Sequence, residues 1–159
     1  MGSRSKTDEA YIAGFLDGDG SLMLQIKKRP DTKRGVRFMA TICLYQDTRH
    51  EKPLHWMRDI FGIGYVSRRS DGISELRING FTQVKNILLR LRPFIRFKDK
   101  QTRALIKACQ LLEKKSIVAF SNKQLKVIID LAFAIKDANY RSRGSLTKKE
   151  LCQRLGLTP

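Results

Sequence analysis

The chain has 159 residues, of which 42% are hydrophobic, and this predicts one folded unit with a substantial core. Its 32 Lys and Arg outnumber 15 Asp and Glu, giving a net charge of +17 that favours a polyanionic partner over a neutral one. No stretch approaches the ~20 apolar residues that a membrane-spanning helix needs, so nucleic acid is favoured over a membrane.

The N-terminus and the cysteines indicate the compartment. Residues 1–6 are predicted to be a disordered, tag-derived N-terminus, and no apolar leader with a cleavage site follows them. Cys43, Cys109 and Cys152 show no C-x-x-C spacing and are expected to be reduced and mostly buried. His50 and His55 lack companions at zinc-ligand spacing. We therefore expect an intracellular protein without structural zinc, in an organelle or in a prokaryotic cytoplasm.

The first half of the chain predicts a helix followed by a hairpin. A helix is predicted over about 7–16 because acids occupy its first turn, and Gly18 and Gly20 are expected to end it. Alternating apolar and polar residues predict strands over 21–29 and 36–46, joined by a basic turn. The hairpin should have one apolar face and one polar, basic face.

The remaining elements repeat this order and then add helices. A helix over 48–60 precedes a second hairpin, whose strands over 64–69 and 73–78 flank a Ser-Asp-Gly turn. Helices follow over 81–91 and 98–113, and capping-box patterns at Ser121 and Thr147 predict two more over 122–138 and 148–155. The fold class is α+β in the order αββαββα. We predict a single domain over 7–159, with a core over about 7–115 and C-terminal helices over 116–159.

The most informative stretch is YIAGFLDGDGS at residues 11–21, where small residues and acids meet between a helix and a strand. Asp17 and Asp19 lie where the chain leaves the helix. From spacing alone, a glycine helix stop with two solvated acids explains the stretch equally well. A calcium-binding EF-hand loop starting at Asp17 is excluded because its twelfth position is Lys28 rather than an acid.

IAGFLDGDG resembles the LAGLIDADG signature of homing endonucleases. The resemblance is strengthened by the αββαββα order, by GIGYV at 62–66 and by RPFIRFKDKQ at 92–101. It covers about residues 7–115, and the members that the chain resembles are the single-motif, homodimeric ones. It implies an antiparallel sheet that binds double-stranded DNA. It also implies a metal-dependent double-strand break in a long pseudo-palindromic target, as made by mobile intron-encoded enzymes.

The resemblance also implies the catalytic residues. Asp19 would bind the catalytic Mg²⁺, helped by the backbone carbonyl of Gly18, and Mn²⁺ or Ca²⁺ could occupy the same sites. Gln46 and Lys98 match positions that organise water or phosphate. For a further basic residue after Gln46, the chain offers two alternatives, Arg49 and His50.

The signature helix of one chain would pack against that of a second chain. The predicted dimer-interface residues are Ala13, Gly14 and Asp17, of which the small residues allow close backbone approach. Asp17 is expected to act mainly through capping or hydrogen bonding near the end of the helix. One motif per chain means that a complete site requires two chains.

The polar face of the sheet would read the major groove, which a two-stranded ribbon can enter. The predicted base contacts are Gln25, Lys27, Arg29, Arg37, Met39, Thr41, Ser67, Arg69, Glu75 and Arg77. About a third of these strand positions are expected simply to face solvent. Residues expected to contact phosphates instead are Lys33, Arg34, Lys100, Arg141 and Arg143.

Two alternatives share this fold. Some family members assist splicing of their intron RNA, and others bind DNA without cutting it. The presence of Asp19, Gln46 and Lys98 favours cleavage over both. Comparing RNA with duplex DNA binding at the same salt concentration would distinguish the first alternative.

Overall fold

The first helix, α1, carries the signature residues. The computed structural model describes residues 5–139 and 146–158, and in it α1 spans Lys6–Asp19, capped by the Ser5 hydroxyl. The prediction that Gly18 ends this helix is wrong, because the helix continues through Gly18 to Asp19. One glycine costs a helix only about 1 kcal/mol, so the surrounding packing can override it.

Gly20 lies against the last turn of α1, where a side chain does not fit. A Cβ atom at Gly20 would lie 2.7 Å from the carbonyl oxygen of Leu16 and 2.9 Å from its Cα atom. Both are backbone atoms and cannot rotate away. This close approach explains the final glycine of the signature and sets the angle at which the chain enters the sheet.

Gly20→Ala is expected to lower the free energy of unfolding by about 1–3 kcal/mol through overpacking. Urea denaturation measures this change. Gly18→Ala is the matched control, because a Cβ atom there meets nothing within 4 Å. Equal stability of the two variants would contradict the steric explanation.

Two hairpins form one antiparallel sheet, as predicted. The strands are β1 (Gly20–Lys28), β2 (Val36–Asp47), β3 (Tyr65–Arg68) and β4 (Ile73–Asn79). Their order in the sheet is β1-β2-β4-β3, with every neighbouring pair antiparallel. The two hairpins therefore join through β2 and β4, which become the central strands.

The apolar face of the sheet packs against helices. Helices α3 (Phe81–Leu91), α4 (Asp99–Leu112) and α5 (Asn122–Ala138) contribute buried residues to the same core as the strands. The strand residues facing this core are Leu22, Leu24, Phe38, Ala40, Ile42, Leu44, Leu76 and Ile78. The opposite face of the sheet carries no helix among the described elements and is called the open face below, although Thr41, Cys43 and Glu75 on it are buried.

The predicted helix over 48–60 is divided in two. Thr48–His50 forms a 3-10 turn, and α2 follows at Lys52–Phe61 with Pro53 in its first turn, where proline is tolerated. The helix ends at Gly62, whose φ of 69° favours glycine. The element order αββαββα is confirmed.

The C-terminal helices are part of the same core. The predicted capping boxes at Ser121 and Thr147 both form, and they begin α5 and α6 (Lys148–Arg154). The Asn139 amide donates to the Leu22 carbonyl at 3.1 Å, which ties the end of α5 to β1. The cysteines are free and buried, as predicted. Across residues 5–139 and 146–158, no helix combines the length and apolarity that crossing a bilayer demands.

Candidate active site and nucleic-acid interface

Asp19 is an exposed carboxylate at the C-terminal end of α1. Among the residues that the structure describes, it makes no side-chain hydrogen bond and no ion pair. The last carbonyl groups of a helix lack intrahelical donors and carry partial negative charge, and the last turn of α1 itself contains no basic residue. Asp19 and the exposed Gly18 therefore form a negative site that favours a cation.

The donor atoms at this site suit a hard cation. Carboxylate and carbonyl oxygens are the ligands that Mg²⁺ and Ca²⁺ prefer. Within residues 5–139 and 146–158, no group of three or more His, Cys, Asp or Glu residues could hold a metal. The oxygens at Asp19 and Gly18 are therefore donors of a type that fits such a cation.

Lys98 lies beside this site and is only 6% exposed. Its ammonium donates a hydrogen bond to the backbone carbonyl of Asp17. Burial lowers the pKa of Lys98, and the negative charges of Asp17 and Asp19 act in the opposite direction. The structure thus brings together Asp19 and Lys98, two of the three predicted catalytic residues.

Asp17 contacts the backbone just before α4. Its carboxylate accepts hydrogen bonds from the backbone N–H groups of Arg96 at 2.6 Å, Phe97 at 3.2 Å and Lys98 at 3.0 Å. Asp17 thus has an intrachain role, and the dimer contact predicted for it stays a prediction. The sequence predicted hydrogen bonding by Asp17 near the helix end, but it did not predict partners at residues 96–98, about 80 residues away.

Gln46 lies near the end of β2. Because Gly20 pairs with Leu44, two residues earlier, Gln46 lies at the same end of the sheet as Asp19. Its side-chain oxygen accepts from the backbone N–H of Asp47 at 2.8 Å. Gln46 can therefore offer its amide N–H groups to water or phosphate near Asp19.

The two alternatives for a basic residue after Gln46 differ in their contacts. Arg49 donates to both carboxylate oxygens of Asp47, at 3.0 and 2.8 Å, and this ion pair lowers the pKa of Asp47. His50 is exposed, with no side-chain hydrogen bond among the described residues. The guanidinium of Arg49 is therefore already engaged, whereas His50 is accessible.

A polar cluster that sequence reasoning missed lies close to Gln46. The Glu51 carboxylate accepts from Arg68 at 2.6 Å and from the Ser74 hydroxyl at 2.5 Å, and Ser74 pairs with Gln46 in the sheet. The hydrogen bond from Arg68 is the main cause that lowers the pKa of Glu51 to about 2. Nothing in the spacing of these residues signals the cluster, which fastens the start of α2 to the sheet.

The open face of the sheet carries most of the predicted base contacts. Strand register places Lys27 opposite Arg37, Gln25 opposite Met39, and Glu75 opposite both Tyr45 and Ser67. Residues directly opposite share a face, so one surface holds Gln25, Lys27, Arg37, Met39, Ser67, Glu75 and Arg77. Two like charges placed opposite each other repel, and a bound anion would relieve the repulsion between Lys27 and Arg37.

Three arginines near this face are held by acids of the same chain. Arg29 pairs with Asp31 at 2.7 Å and Arg69 with Asp71 at 2.7 Å, both just outside the strands. Arg77 pairs with Glu75 at 3.0 Å within β4. These pairs orient the guanidinium groups, and a phosphate or base would compete with the acid for them.

Two predicted DNA contacts are engaged inside the chain instead. Thr41 is fully buried, and its hydroxyl donates to the Asn79 side chain at 2.8 Å, so it is not accessible to a base. The Arg34 guanidinium donates to the carbonyls of Val118 at 3.4 Å and Phe120 at 3.2 Å, which ties the hairpin tip to the segment before α5. Neither matches the free contact predicted for it.

Of the four remaining predicted phosphate contacts, the structure describes two. Lys33, in the turn between β1 and β2, and Lys100, in the first turn of α4, are exposed. Arg141 and Arg143 lie outside the described residues.

One face of α1 is exposed and carries two glycines. Tyr11 is 57% exposed, and Gly14 and Gly18 follow it on the same face. Tyr11 packs edge-on against Trp56 of α2, with ring centroids 5.7 Å apart. Ala13, by contrast, is fully buried in the chain's own core, and the dimer contact predicted for it stays a prediction. Gly14 remains the residue at which another helix could approach.

Comparisons with known proteins identify a family and several relatives of this chain. The LAGLIDADG endonuclease family model matches residues 12–112. The chain is 31% identical over 147 residues to DNA endonuclease I-CreI of Chlamydomonas reinhardtii, covering 91% of this chain and 88% of that one. It is 30% identical over 105 residues to DNA endonuclease I-CvuI of Chlorella vulgaris, covering 66% and 63%.

Solved structures share the fold. The homing endonuclease I-CvuI in complex with its DNA target superimposes with a TM-score of 0.82, at 23% identity and covering 97% of this chain and 98% of that one. The archaeal intron-encoded homing endonuclease I-Vdi141I, complexed with DNA, gives a TM-score of 0.83 at 19% identity, covering 94% and 95%.

Proposed function

This chain belongs to the LAGLIDADG endonuclease family, and from that membership we propose that two copies join to cut both DNA strands, each supplying one Asp19. The predicted activity, a site-specific DNA homing endonuclease, is confirmed by the family match and by the identity to I-CreI. Its partner is double-stranded DNA and its cofactor a divalent metal. The identity of that metal as Mg²⁺, and the homodimer, are our proposals.

The observation that carries the proposed mechanism is the Asp19 carboxylate, which has no partner among the described residues and lies next to the buried ammonium of Lys98. When bound, a divalent metal activates water and neutralises charge on the phosphate and the leaving oxygen. Asp19, with the carbonyl of Gly18, would hold that metal against the scissile phosphate. The side chain of Lys98 would lie beside the same phosphate, and Gln46 would orient a water molecule through its amide.

Cutting both DNA strands requires two copies of the chain. Each chain contributes one Asp19, whereas a double-strand break needs a cutting centre for each strand. The open face of α1 offers Gly14 for close packing with the same helix of a second copy, and this would bring the two Asp19 residues near one twofold axis. The resulting target is pseudo-palindromic.

The open face of the sheet would read the major groove. Arginines at 37 and 77 suit the paired acceptors of guanine, Gln25 suits adenine, and Met39 can contact a thymine methyl group. Thr41 is left out of this proposed set because it is buried. Phosphate contacts by exposed lysines such as Lys33 would fix the position of the protein without reading sequence.

Replacing both Lys27 and Arg37 by Gln is expected to weaken DNA binding and to flatten its dependence on salt. Each lost contact between a cationic side chain and a phosphate should reduce the slope of log K against log salt by about 1. Fluorescence anisotropy over a range of salt concentrations measures that slope. The control replaces Lys123 and Lys126 of α5 by Gln, which removes the same number of charges, since α5 packs on the other face of the sheet. An equal loss of slope in the control would show that only total charge matters.

The function is tested with a randomised pseudo-palindromic duplex library, cut in the presence of Mg²⁺ or of EDTA. Defined ends on both strands that appear only with Mg²⁺ would support the proposal. Sequence-specific binding without cutting in either Mg²⁺ or Mn²⁺ would point to a DNA-binding module instead. RNA competing with the duplex at equal salt would favour the splicing alternative, for which no described residue gives specific support.

A further inference from the structure

We propose that Asp17 is a positioning residue that holds Lys98 in place relative to Asp19. The proposal rests on the proposed catalytic function of Lys98. Three consecutive backbone N–H groups, at residues 96–98, donate to the single Asp17 carboxylate. The backbone carbonyl of Asp17 then accepts the Lys98 ammonium. Asp17 therefore fixes Lys98 at both its backbone and its charged end.

The segment that contains Lys98 has little else to hold its middle residues. It lies between the 3-10 turn Arg92–Phe94 and the start of α4, and Lys98 is the N-cap of α4 without a side-chain capping bond. Arg96 is exposed and Phe97 is 81% exposed, so side-chain packing barely restrains them. The hydrogen bonds to Asp17 are thus the main restraint at residues 96 and 97.

The two acids of the signature then have separate tasks on one rigid element. Asp17 and Asp19 are both in the last turn of α1, two residues apart, so a helix fixes their relative position. Asp19 points into open space, whereas Asp17 faces the segment before α4. Anything bound at Asp19 therefore lies at a fixed distance from the ammonium that Asp17 holds.

Asp17→Asn replaces one acceptor oxygen by an NH₂ group that faces backbone donors. A displacement of about 1 Å at a catalytic group can cost about 100-fold in rate. We expect the single-turnover cleavage rate at saturating DNA to fall about 10- to 100-fold, while the Kd for DNA changes less than about threefold. A purely structural defect would affect binding and cleavage alike.

A double-mutant cycle tests whether Asp17 acts through Lys98. Asp17→Asn, Lys98→Met and the double variant are compared, and the double variant should cut no more slowly than Lys98→Met alone. Amide hydrogen exchange without metal gives a second readout, in which residues 96–98 should lose protection in Asp17→Asn. Asp17→Ser, which keeps one small acceptor, repeats the comparison if the Asn variant folds poorly.

The control is Glu113→Gln, which breaks the 2.5 Å ion pair with Lys85 between α3 and α4 without touching residues 96–98. It should leave both the cleavage rate and the protection of 96–98 unchanged. Wild-type cleavage by Asp17→Asn, or a loss that adds fully to that of Lys98→Met, would overturn the positioning role. A wild-type protein that cuts nothing would instead overturn the proposed function, and the exchange data would still show whether Asp17 holds the segment.

Discussion

Asp19→Asn is expected to abolish metal-dependent cleavage while leaving DNA binding within about threefold. The side chain keeps its shape, but the site loses the charged oxygen that Asp19 would offer to the metal. A loss of about 10³-fold or more corresponds to ~4 kcal/mol of transition-state stabilisation. Single-turnover cleavage with Mg²⁺ measures the rate, and anisotropy with Ca²⁺ measures the affinity.

The same variant should fold about as well as the wild type. A carboxylate at the C-terminal end of a helix repels the partial negative charge there, but Asp19 also attracts the Lys98 ammonium, so the two effects of its removal oppose each other. Loss of cutting together with a nearly unchanged Tm would separate a functional defect from a folding defect. Asp59→Asn, which removes an exposed acid that pairs with its neighbour Arg58, is the control. Robust cutting by Asp19→Asn would refute its role.

The sequence predicted the elements well where the local chemistry is strong. Alternation in β1 and β2 identified the buried face, because period two is the period of a strand. The capping boxes located α5 and α6 to within a residue, because Ser121 and Thr147 satisfy free backbone donors. The end of α1 was misplaced, since glycine propensity is weak against packing.

The site was predictable only in part, because some contacts join distant segments. Resemblance to a known signature identified Asp19, and no local pattern distinguishes it from Asp17. The contact of Asp17 with residues 96–98 depends on how α1 meets α4, which spacing does not encode. Thr41 alternates with buried residues along β2, and this pattern predicted an exposed side chain. It is buried because β2 is a central strand, where the Thr41 hydroxyl donates to Asn79 of the neighbouring β4.

Gly14→Leu is expected to separate the proposed dimer into folded, inactive monomers. A Cβ atom at Gly14 meets nothing within 4 Å in the chain itself, so the protomer should accept the larger side chain. Leucine also favours the helix by about 0.8–1 kcal/mol relative to glycine. In the proposed dimer, however, Gly14 lies where two copies of α1 approach closely, and a leucine there would force the helices apart.

We expect dimerisation to weaken by about 100-fold, equivalent to ~3 kcal/mol of overpacking at the helix contact. Sedimentation equilibrium measures the dimer constant, and urea denaturation checks that each monomer remains folded. Gln110→Leu on the exposed side of α4 is the control for an added apolar side chain and should remain dimeric. Double-strand cutting should disappear with the dimer, because one chain brings only one Asp19. A dimeric, fully active Gly14→Leu variant would show that the two copies meet at a surface other than this face of α1.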